Sequence, residues 1–384
     1  MNARNNYGPV LFLLAYSLCM LDAIVLEYST FSEFHYASLF SKGLLAAAFL
    51  LVLVKLFLDR FYDLSCFLHM AVIGLVLLVT FLRSGYYHVY YLLIVFLGIR
   101  NIRPKDLLEV DFRMKAALIL FVVLSSATTV IGNYITQRTG SSVLRFSMGF
   151  NHPNTLASLM MGMIFEEAVL SERKVSWTYT MVLWAIGLGL FLITSNRTAV
   201  LLIFLFPVCL LSLHERSDDP SAARSTLLMQ LQYPLYSAFS FLCMEYSRKI
   251  RFFSWIDRAL SNRYYNSLRL FRKYGLSLFG QKVKLVSVRA ARATSSSIAL
   301  LDVAYLRMLI QSGPLAMIVY AYLYARYLRT AVFARDRRLC LVTGLFFLFG
   351  ICESGFNNVF LNFTLLFAAA SAYRSADATE EAWT

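Results

Sequence analysis

Residues 43–58 read GLLAAAFLLVLVKLFL, an almost unbroken apolar run. This is close to the ~20 residues that a helix needs to cross the hydrocarbon core of a bilayer. The run lacks the alternation of apolar and polar residues that a strand of a membrane β-barrel requires. Similar runs recur along the chain, which is 59% hydrophobic and only 15% charged. The sequence therefore predicts an all-α, polytopic integral membrane protein.

Apolar length predicts about twelve transmembrane helices in a single polytopic membrane domain over residues 1–384. The predicted spans are 9–27, 43–58, 64–82, 84–99, 116–132, 154–170, 176–194, 198–213, 227–246, 300–326, 339–352 and 359–373. Cytoplasmic loops of membrane proteins are enriched in Lys and Arg. The loop that carries Arg113 and Lys115 is basic, and so are the other loops on its side of the predicted topology. This pattern places that side, and both termini, in the cytoplasm.

On this topology residues 247–299 form one long extracytoplasmic loop, which is strongly basic and has Asp257 as its only acid. So much positive charge on the outer face indicates an anionic partner. Two other readings stay open. Long loops translocate largely regardless of charge, so the basic residues can simply meet anionic lipid headgroups. An inverted topology would put this loop in the cytoplasm and make its charge ordinary, but it would move four other basic loops outside unless 300–310 and 314–326 are separate membrane elements broken at Gly313 and Pro314. A half-entering segment followed by a full span at this break would keep the topology unchanged.

The stretch Gly-Phe-Asn-His-Pro-Asn at 149–154 lies where a polar loop enters an apolar run. Proline fixes its own φ and lacks a backbone donor, so Pro153 suits the first turn of a helix. His152 then lies near the helix cap, where it is a proton acceptor for chemistry at the membrane boundary. The alternative is that His152 only satisfies the free amides of the helix end.

Five short motifs, taken in chain order, resemble the O-antigen and capsular polysaccharide polymerases (Wzy type) of the O-antigen ligase/polymerase superfamily. One departure concerns Val303, which stands where the family commonly has Asn. The motifs are Gly149–Asn154, similar to Gly-x-x-His-Pro-Asn; Ser195–Thr198, similar to a Ser-Arg-Thr turn with an extra Asn; Leu260–Arg263 with Leu278–Gly280; Leu301–Tyr305 with Gly313; and Glu353 with Asn362.

The resemblance implies a glycosyltransferase of the bacterial cytoplasmic (inner) membrane. Such an enzyme moves a growing glycan from undecaprenyl pyrophosphate onto the sugar end of one lipid-linked repeat unit at the outer face. The implied partners are undecaprenyl-pyrophosphate-linked oligosaccharide and the lipid bilayer, with a flippase and a chain-length regulator, and no nucleic acid. A ligase that transfers the finished glycan to another acceptor is one alternative. A lipid-linked oligosaccharide flippase is another, although the internal repeats typical of transporters are not evident.

The residues can be assigned to this chemistry by type. Arginine binds a pyrophosphate by bidentate hydrogen bonds, and one general base suffices when the leaving group is good. Asp302 can instead neutralise Arg307 or a loop arginine, and Arg197 can simply snorkel to the interface. The candidates are Arg145, Arg197, Arg263 and Arg269 for the pyrophosphate; His152, then Glu353 and Asp302, for the base; and Asn154 and Tyr305 for other substrate contacts. We expect no metal and no cofactor, because no cluster has ligand spacing.

Other polar residues within the predicted spans favour structural roles. Asp22, Lys55, Glu166 and Glu167 are interpreted as structural pairs or interface groups. The aromatic residues from Tyr86 to Tyr91 are interpreted as an interfacial belt, with glycan stacking as the alternative.

Overall fold

The computed structural model describes residues 7–59, 64–137, 143–171, 176–214, 222–286, 299–334 and 336–373. About three quarters of them lie in helices. The α-helices are α1 (Tyr7–Leu21), α2 (Ala37–Leu58), α3 (Leu64–Ser84), α4 (Tyr87–Gly98), α5 (Pro104–Ala127), α6 (Pro153–Leu170), α7 (Trp177–Thr194), α8 (Arg197–His214), α9 (Ala222–Tyr246), α10 (Arg251–Ala259), α11 (Arg263–Tyr274), α12 (Ala304–Arg307), α13 (Gly313–Phe333), α14 (Arg337–Gly350) and α15 (Thr364–Ser371).

Within the described residues, five helical stretches are long and apolar enough to cross a membrane, namely Tyr7–Glu27, Ala37–Leu58, Cys66–Ser84, Trp177–Thr194 and Ala304–Val332. The first continues α1 through a π-helical turn at Asp22–Glu27. The last joins α12 to α13 through a second π-helical turn, Met308–Ser312. Shorter apolar helices lie at Tyr87–Gly98 and Arg197–Ser212. The prediction of an all-α membrane protein is confirmed at this level.

The helices sort into a lipid-facing periphery and a covered centre. Phe57 of α2, Leu75 of α3 and Leu192 of α7 are exposed, as expected for side chains that face hydrocarbon. In contrast, α15 is buried along its whole length, and so is nearly all of α4. At 1.5 Å per residue, these two helices are shorter than a hydrocarbon core is thick. A helix too short to span the membrane leaves non-helical backbone at its ends. Such backbone is tolerated at membrane depth where protein covers it, which fits the central position of α4 and α15.

Several predicted elements need correction. The helix predicted at 116–132 begins at Pro104, so Lys115 is a buried helical residue and not part of a cytoplasmic loop. The span predicted at 359–373 contains only the short helix α15. The span predicted at 300–326 is interrupted at Gly313, whose φ is +86°. The break considered for this span is therefore present.

The aromatic group Tyr86–Tyr91 also differs from prediction. Tyr86, His88 and Tyr91 are buried, so they are core residues and not an interfacial belt. Both ring nitrogens of His88 are hydrogen-bonded, to the hydroxyls of Tyr28 and Tyr86.

A two-stranded hairpin precedes α6 and was not predicted. Strand β1 (Ile135–Gln137) pairs antiparallel with β2 (Leu144–Phe146), with Thr136 opposite Arg145. The hairpin presents the Arg145 side chain beside the start of α6.

Gly280 and Gly313 meet backbone to backbone, which explains why two motifs of the sequence end in glycine. Both residues have positive φ, at +76° and +86°. A Cβ on Gly280 would lie 2.3 Å from the Gln311 carbonyl oxygen, and one on Gly313 would lie 2.4 Å from the Ser277 carbonyl oxygen. No side chain fits there, and this contact anchors the long loop to the start of α13.

Candidate functional site

Several helix ends meet at one end of the bundle, and Asn154 joins them. Arg145 donates through Nε to the Thr194 carbonyl at 2.8 Å and through Nη2 to Asn154 Oδ1. Asn154 Nδ2 donates to Glu353 Oε1 at 3.1 Å. Asn196 Nδ2 donates to the Asn154 carbonyl at 3.3 Å. The hairpin, α6, the α7–α8 turn and the segment after α14 are thereby tied together through one residue, Asn154.

Arg263 supplies the second half of the cluster, from the first position of α11. Its Nη2 donates to Glu353 Oε1 at 3.0 Å, and its Nε lies 3.8 Å from Asp302 Oδ2. Burial opposes the guanidinium charge, but the two carboxylates outweigh it and raise the pKa of Arg263 above its usual range. The Nη1 atom is buried and has no hydrogen-bond partner among the described residues. Arg263 therefore keeps unused capacity to donate to an anion.

The turn before α11 fixes where Arg263 starts. Ser261 and Asn262 both have positive φ, at 63° and 59°. Asp257 Oδ1 accepts the backbone N–H groups of Tyr264 and Tyr265, at 2.9 and 3.2 Å. A carboxylate at a helix N-terminus satisfies free amides and complements the helix dipole. This cap holds the first turn of α11 against the end of α10.

His152 is the N-cap of α6, as the simpler sequence interpretation expected. Its Nδ1 accepts the Asn154 backbone N–H at 3.1 Å. The ring is exposed, but the surrounding protein and then the Arg145 guanidinium lower its pKa to about 4. The neutral ring accepts at Nδ1, so its proton lies on Nε2. In this conformation the second ring nitrogen of His152 is a hydrogen-bond donor, and the role of His152 as general base stays a prediction.

Glu353 is better placed than His152 to accept a proton. Both Arg263 and Asn154 donate to its Oε1. The Glu353 side chain is 14% exposed, and neither of these two hydrogen bonds uses its Oε2. Burial raises the pKa of the Glu353 carboxyl, Arg263 opposes this, and Asp302 adds to it. A raised pKa suits a carboxylate that accepts a proton near neutral pH.

Other predicted residues lie at the edge of the cluster or outside it. Arg197 is exposed at the first position of α8, next to Asn196, and the described residues offer it no hydrogen bond or ion pair. Arg269 is also exposed. It follows Arg263 by six positions on α11, which turns it about 120° around the helix. No described contact joins Arg269 to the cluster.

The structure does not support a substrate contact for Tyr305. Its side chain is 1% exposed and lies among Tyr233, Tyr236 and Phe356. Its hydroxyl donates to the Phe347 carbonyl at 2.8 Å. The hydroxyl is thus committed to the aromatic core, and we remove Tyr305 from the site.

Sequence reasoning gave no site role to Arg307, which extends the cluster. Its Nη1 donates to Ser354 Oγ at 3.1 Å, next to Glu353. Its guanidinium lies 4.5 Å from the centre of the Tyr86 ring. Asp302 was expected to neutralise either Arg307 or an arginine of the long loop. In the structure it pairs with the loop residue Arg263. The sequence signal for Arg307 was its charge within an apolar stretch.

The predicted residues that the structure brings together are Arg145, His152, Asn154, Arg263, Asp302 and Glu353. Among the described residues, no group of three or more His, Cys, Asp or Glu side chains is arranged to hold a metal ion. A cavity of about 590 Å³, lined by Arg100, Ile102 and Tyr373 among others, shares no residue with this cluster.

No protein-family model matches the chain, and neither a curated protein nor a solved structure matches it. The resemblance to the polysaccharide polymerases therefore rests on the quoted motifs, and the family stays a prediction.

Proposed function

We propose that the chain is a polysaccharide polymerase that joins undecaprenyl-pyrophosphate-linked repeat units at the outer face of a bacterial cytoplasmic membrane. The observation that carries the proposal is the convergence of distant motif residues. Asn154, Arg263 and Glu353 lie far apart in the sequence and share one hydrogen-bonded cluster. Convergence of this kind is expected when separate motifs serve one reaction.

The arginines would bind the pyrophosphate of the donor. Charge grows on this leaving group as its bond to the sugar breaks, and fixed cations stabilise that charge. Arg263 offers an unused buried donor, and Arg197 lies exposed beside the cluster. Arg145 is committed to Thr194 and Asn154, so we assign it to positioning and to background positive charge. Arg269 stays a weaker candidate.

Glu353 would act as the general base. Its Oε2, which neither Arg263 nor Asn154 occupies, takes the proton of the acceptor hydroxyl while that oxygen bonds to the anomeric carbon of the donor sugar. The bond from this carbon to the pyrophosphate oxygen breaks, and undecaprenyl pyrophosphate leaves with the electron pair. His152 Nε2–H would donate to a substrate oxygen in this arrangement, and Asp302 holds Arg263 in place.

We extend this function to a topology of the whole chain. About twelve membrane segments, with both termini in the cytoplasm, would put the α7–α8 turn, the long basic loop and Glu353 on the outer face. Their mutual contacts support one common side for these segments. A flippase that delivers repeat units and a chain-length regulator would work beside the protein in the same membrane.

The test is a gel of cell-surface polysaccharide from a deletion strain that carries the wild type, Arg263→Gln or Arg272→Gln. Arg272 is the matched control, because it is an exposed arginine on the same helix. We expect a full ladder from the wild type and from Arg272→Gln. From Arg263→Gln we expect a single repeat without a ladder, at an equal membrane level of protein.

Other outcomes would identify the alternatives. Polymer that accumulates on its lipid carrier without reaching a final acceptor would indicate a ligase. Lipid-linked repeats trapped on the cytoplasmic side would indicate a flippase. A normal ladder from Arg263→Gln would overturn the assigned site.

A further inference from the structure

Helix α10 has an exposed face that divides into an aromatic stripe and a basic stripe. Phe252 and Trp255, three residues apart, lie on one side of the helix and form the aromatic stripe. Phe252 is 59% exposed and Trp255 is 63% exposed. Arg251 and Arg258 are seven residues apart, so they align beside this stripe and are exposed as well.

The opposite face of α10 packs on the protein. Phe253 stacks against Tyr246 at the end of α9, with ring centres 5.9 Å apart. Asp257, the one acid of the helix, is buried and caps α11. The outer face of α10 therefore combines bulky aromatic groups with positive charge and carries no negative charge.

We propose that α10 is an interfacial helix that binds anionic phospholipid. Phe252 and Trp255 insert at the boundary between headgroups and acyl chains, and Arg251 and Arg258 bind the lipid phosphates. Aromatic side chains favour this boundary, and basic residues beside them add attraction to anionic lipid. We assign this face to lipid because its aromatic stripe matches the acyl-chain boundary of a bilayer and its flanking positive charge matches the phosphate headgroups. The helix also follows a lipid-exposed helix directly, since Phe241 and Leu242 of α9 are exposed.

The lipid contact has a consequence for the site. Asp257 ties α10 to the first turn of α11, where Arg263 begins. Binding of α10 at the interface would hold Arg263 near the depth of lipid phosphates. This consequence rests on the proposed function, whereas the lipid contact itself does not.

The test uses fluorescence of Trp255 in the full-length protein in nanodiscs. The chain has four tryptophans, so substitution of Trp177, Trp184 and Trp383 by Phe leaves Trp255 as the single reporter. Lipids brominated near the glycerol end or near the chain end report the depth of the indole. We expect strong quenching by the shallow bromines and weaker quenching by the deep ones. If neither brominated lipid quenches Trp255, the proposal is overturned. This is also the result expected if another copy of the protein covers the helix.

A second comparison tests the charge. At equal mole fraction, brominated phosphatidylglycerol should quench Trp255 several-fold more than brominated phosphatidylcholine. Arg251→Gln/Arg258→Gln should remove this preference, while the charge-matched Arg272→Gln/Lys282→Gln should keep it. Equal quenching by the two lipids, or equal behaviour of the two double variants, would contradict anionic lipid binding. Both measurements are independent of enzymatic activity, so a failure here would leave the polymerase proposal to its own test.

Discussion

Two charged clusters in this protein have similar chemistry and different surroundings. In the closed cluster, Lys115 binds Asp111 at 2.7 Å and also Glu166, and all three side chains are fully buried. In the open cluster, the side chains of Arg263, Glu353 and Asp302 are 17%, 14% and 33% exposed. The closed cluster joins α5 to α6 without access for a ligand. The open cluster joins loops and helix ends and its side chains stay partly exposed, so we assign stability to the first and propose chemistry for the second.

Loss of the cation from the closed cluster should have the largest effect on folding. Lys115→Met leaves Asp111 and Glu166 buried without their counter-charge, which costs about 3–5 kcal/mol for a buried pair. We expect a large fall in thermal midpoint and in membrane level. Arg113→Met is the control on the same helix, because its surface pair with Glu109 contributes about 0–1 kcal/mol. Equal midpoints for the two variants would show that the closed cluster does not stabilise the fold.

Loss of the cation from the open cluster should act on the reaction. Removal of one donor to a developing oxyanion costs about 10²–10³ in rate. We expect Arg263→Gln to lose about this much in a polymerisation assay with lipid-linked repeat units, with a smaller change in midpoint than Lys115→Met. Arg263→Lys keeps the charge and loses the two-pronged geometry, so its rate should lie between those of the wild type and Arg263→Gln. A rate for Arg263→Lys equal to that of the wild type would remove the geometric part of the argument.

Asn154 tests whether the open cluster depends on its central hydrogen bonds. Asn154→Ala removes a donor to Glu353 and an acceptor for Arg145. Hydrogen bonds to charged groups contribute about 1.5–3 kcal/mol each. We expect a fall of about ten- to a hundred-fold in rate, measured beside Thr155→Ala, the neighbouring position on the same helix turn. If both variants behave alike, Asn154 does not organise the site.

The smallest expected effect concerns pH. The pKa of His152 is about 4 in the folded protein against an ordinary value of 6.5, so the unfolded chain binds more protons between these values. Stability from His152 is present above pH 6.5 and is lost as the pH falls toward 4. His152→Asn keeps a capping side chain that does not titrate. The midpoint of the wild type should therefore fall more than that of His152→Asn between pH 7 and pH 4, and parallel curves would exclude this titration.

Sequence reasoning found the membrane class and most of the open cluster, because both leave local signals. Apolar runs report spans, and a motif such as His152-Pro153-Asn154 reports a helix start. Sequence reasoning placed Lys115 in a loop, because charge density alone cannot distinguish a solvated lysine from one that pairs with a residue of another helix. It also gave Tyr305 a substrate role, although the aromatic neighbours that bury this residue come from distant parts of the chain. Burial of this kind depends on tertiary packing, which a single sequence does not display.

The most direct test compares one carboxylate from each cluster with its amide. In reconstituted protein, release of undecaprenyl pyrophosphate from lipid-linked repeat units and the thermal midpoint are measured for Glu353→Gln and Asp111→Asn. We predict that Glu353→Gln loses product release and keeps its midpoint. We predict that Asp111→Asn lowers the midpoint and keeps its rate per folded molecule. Normal release by Glu353→Gln, or loss of release by Asp111→Asn at an unchanged midpoint, would contradict the division of roles between the two clusters.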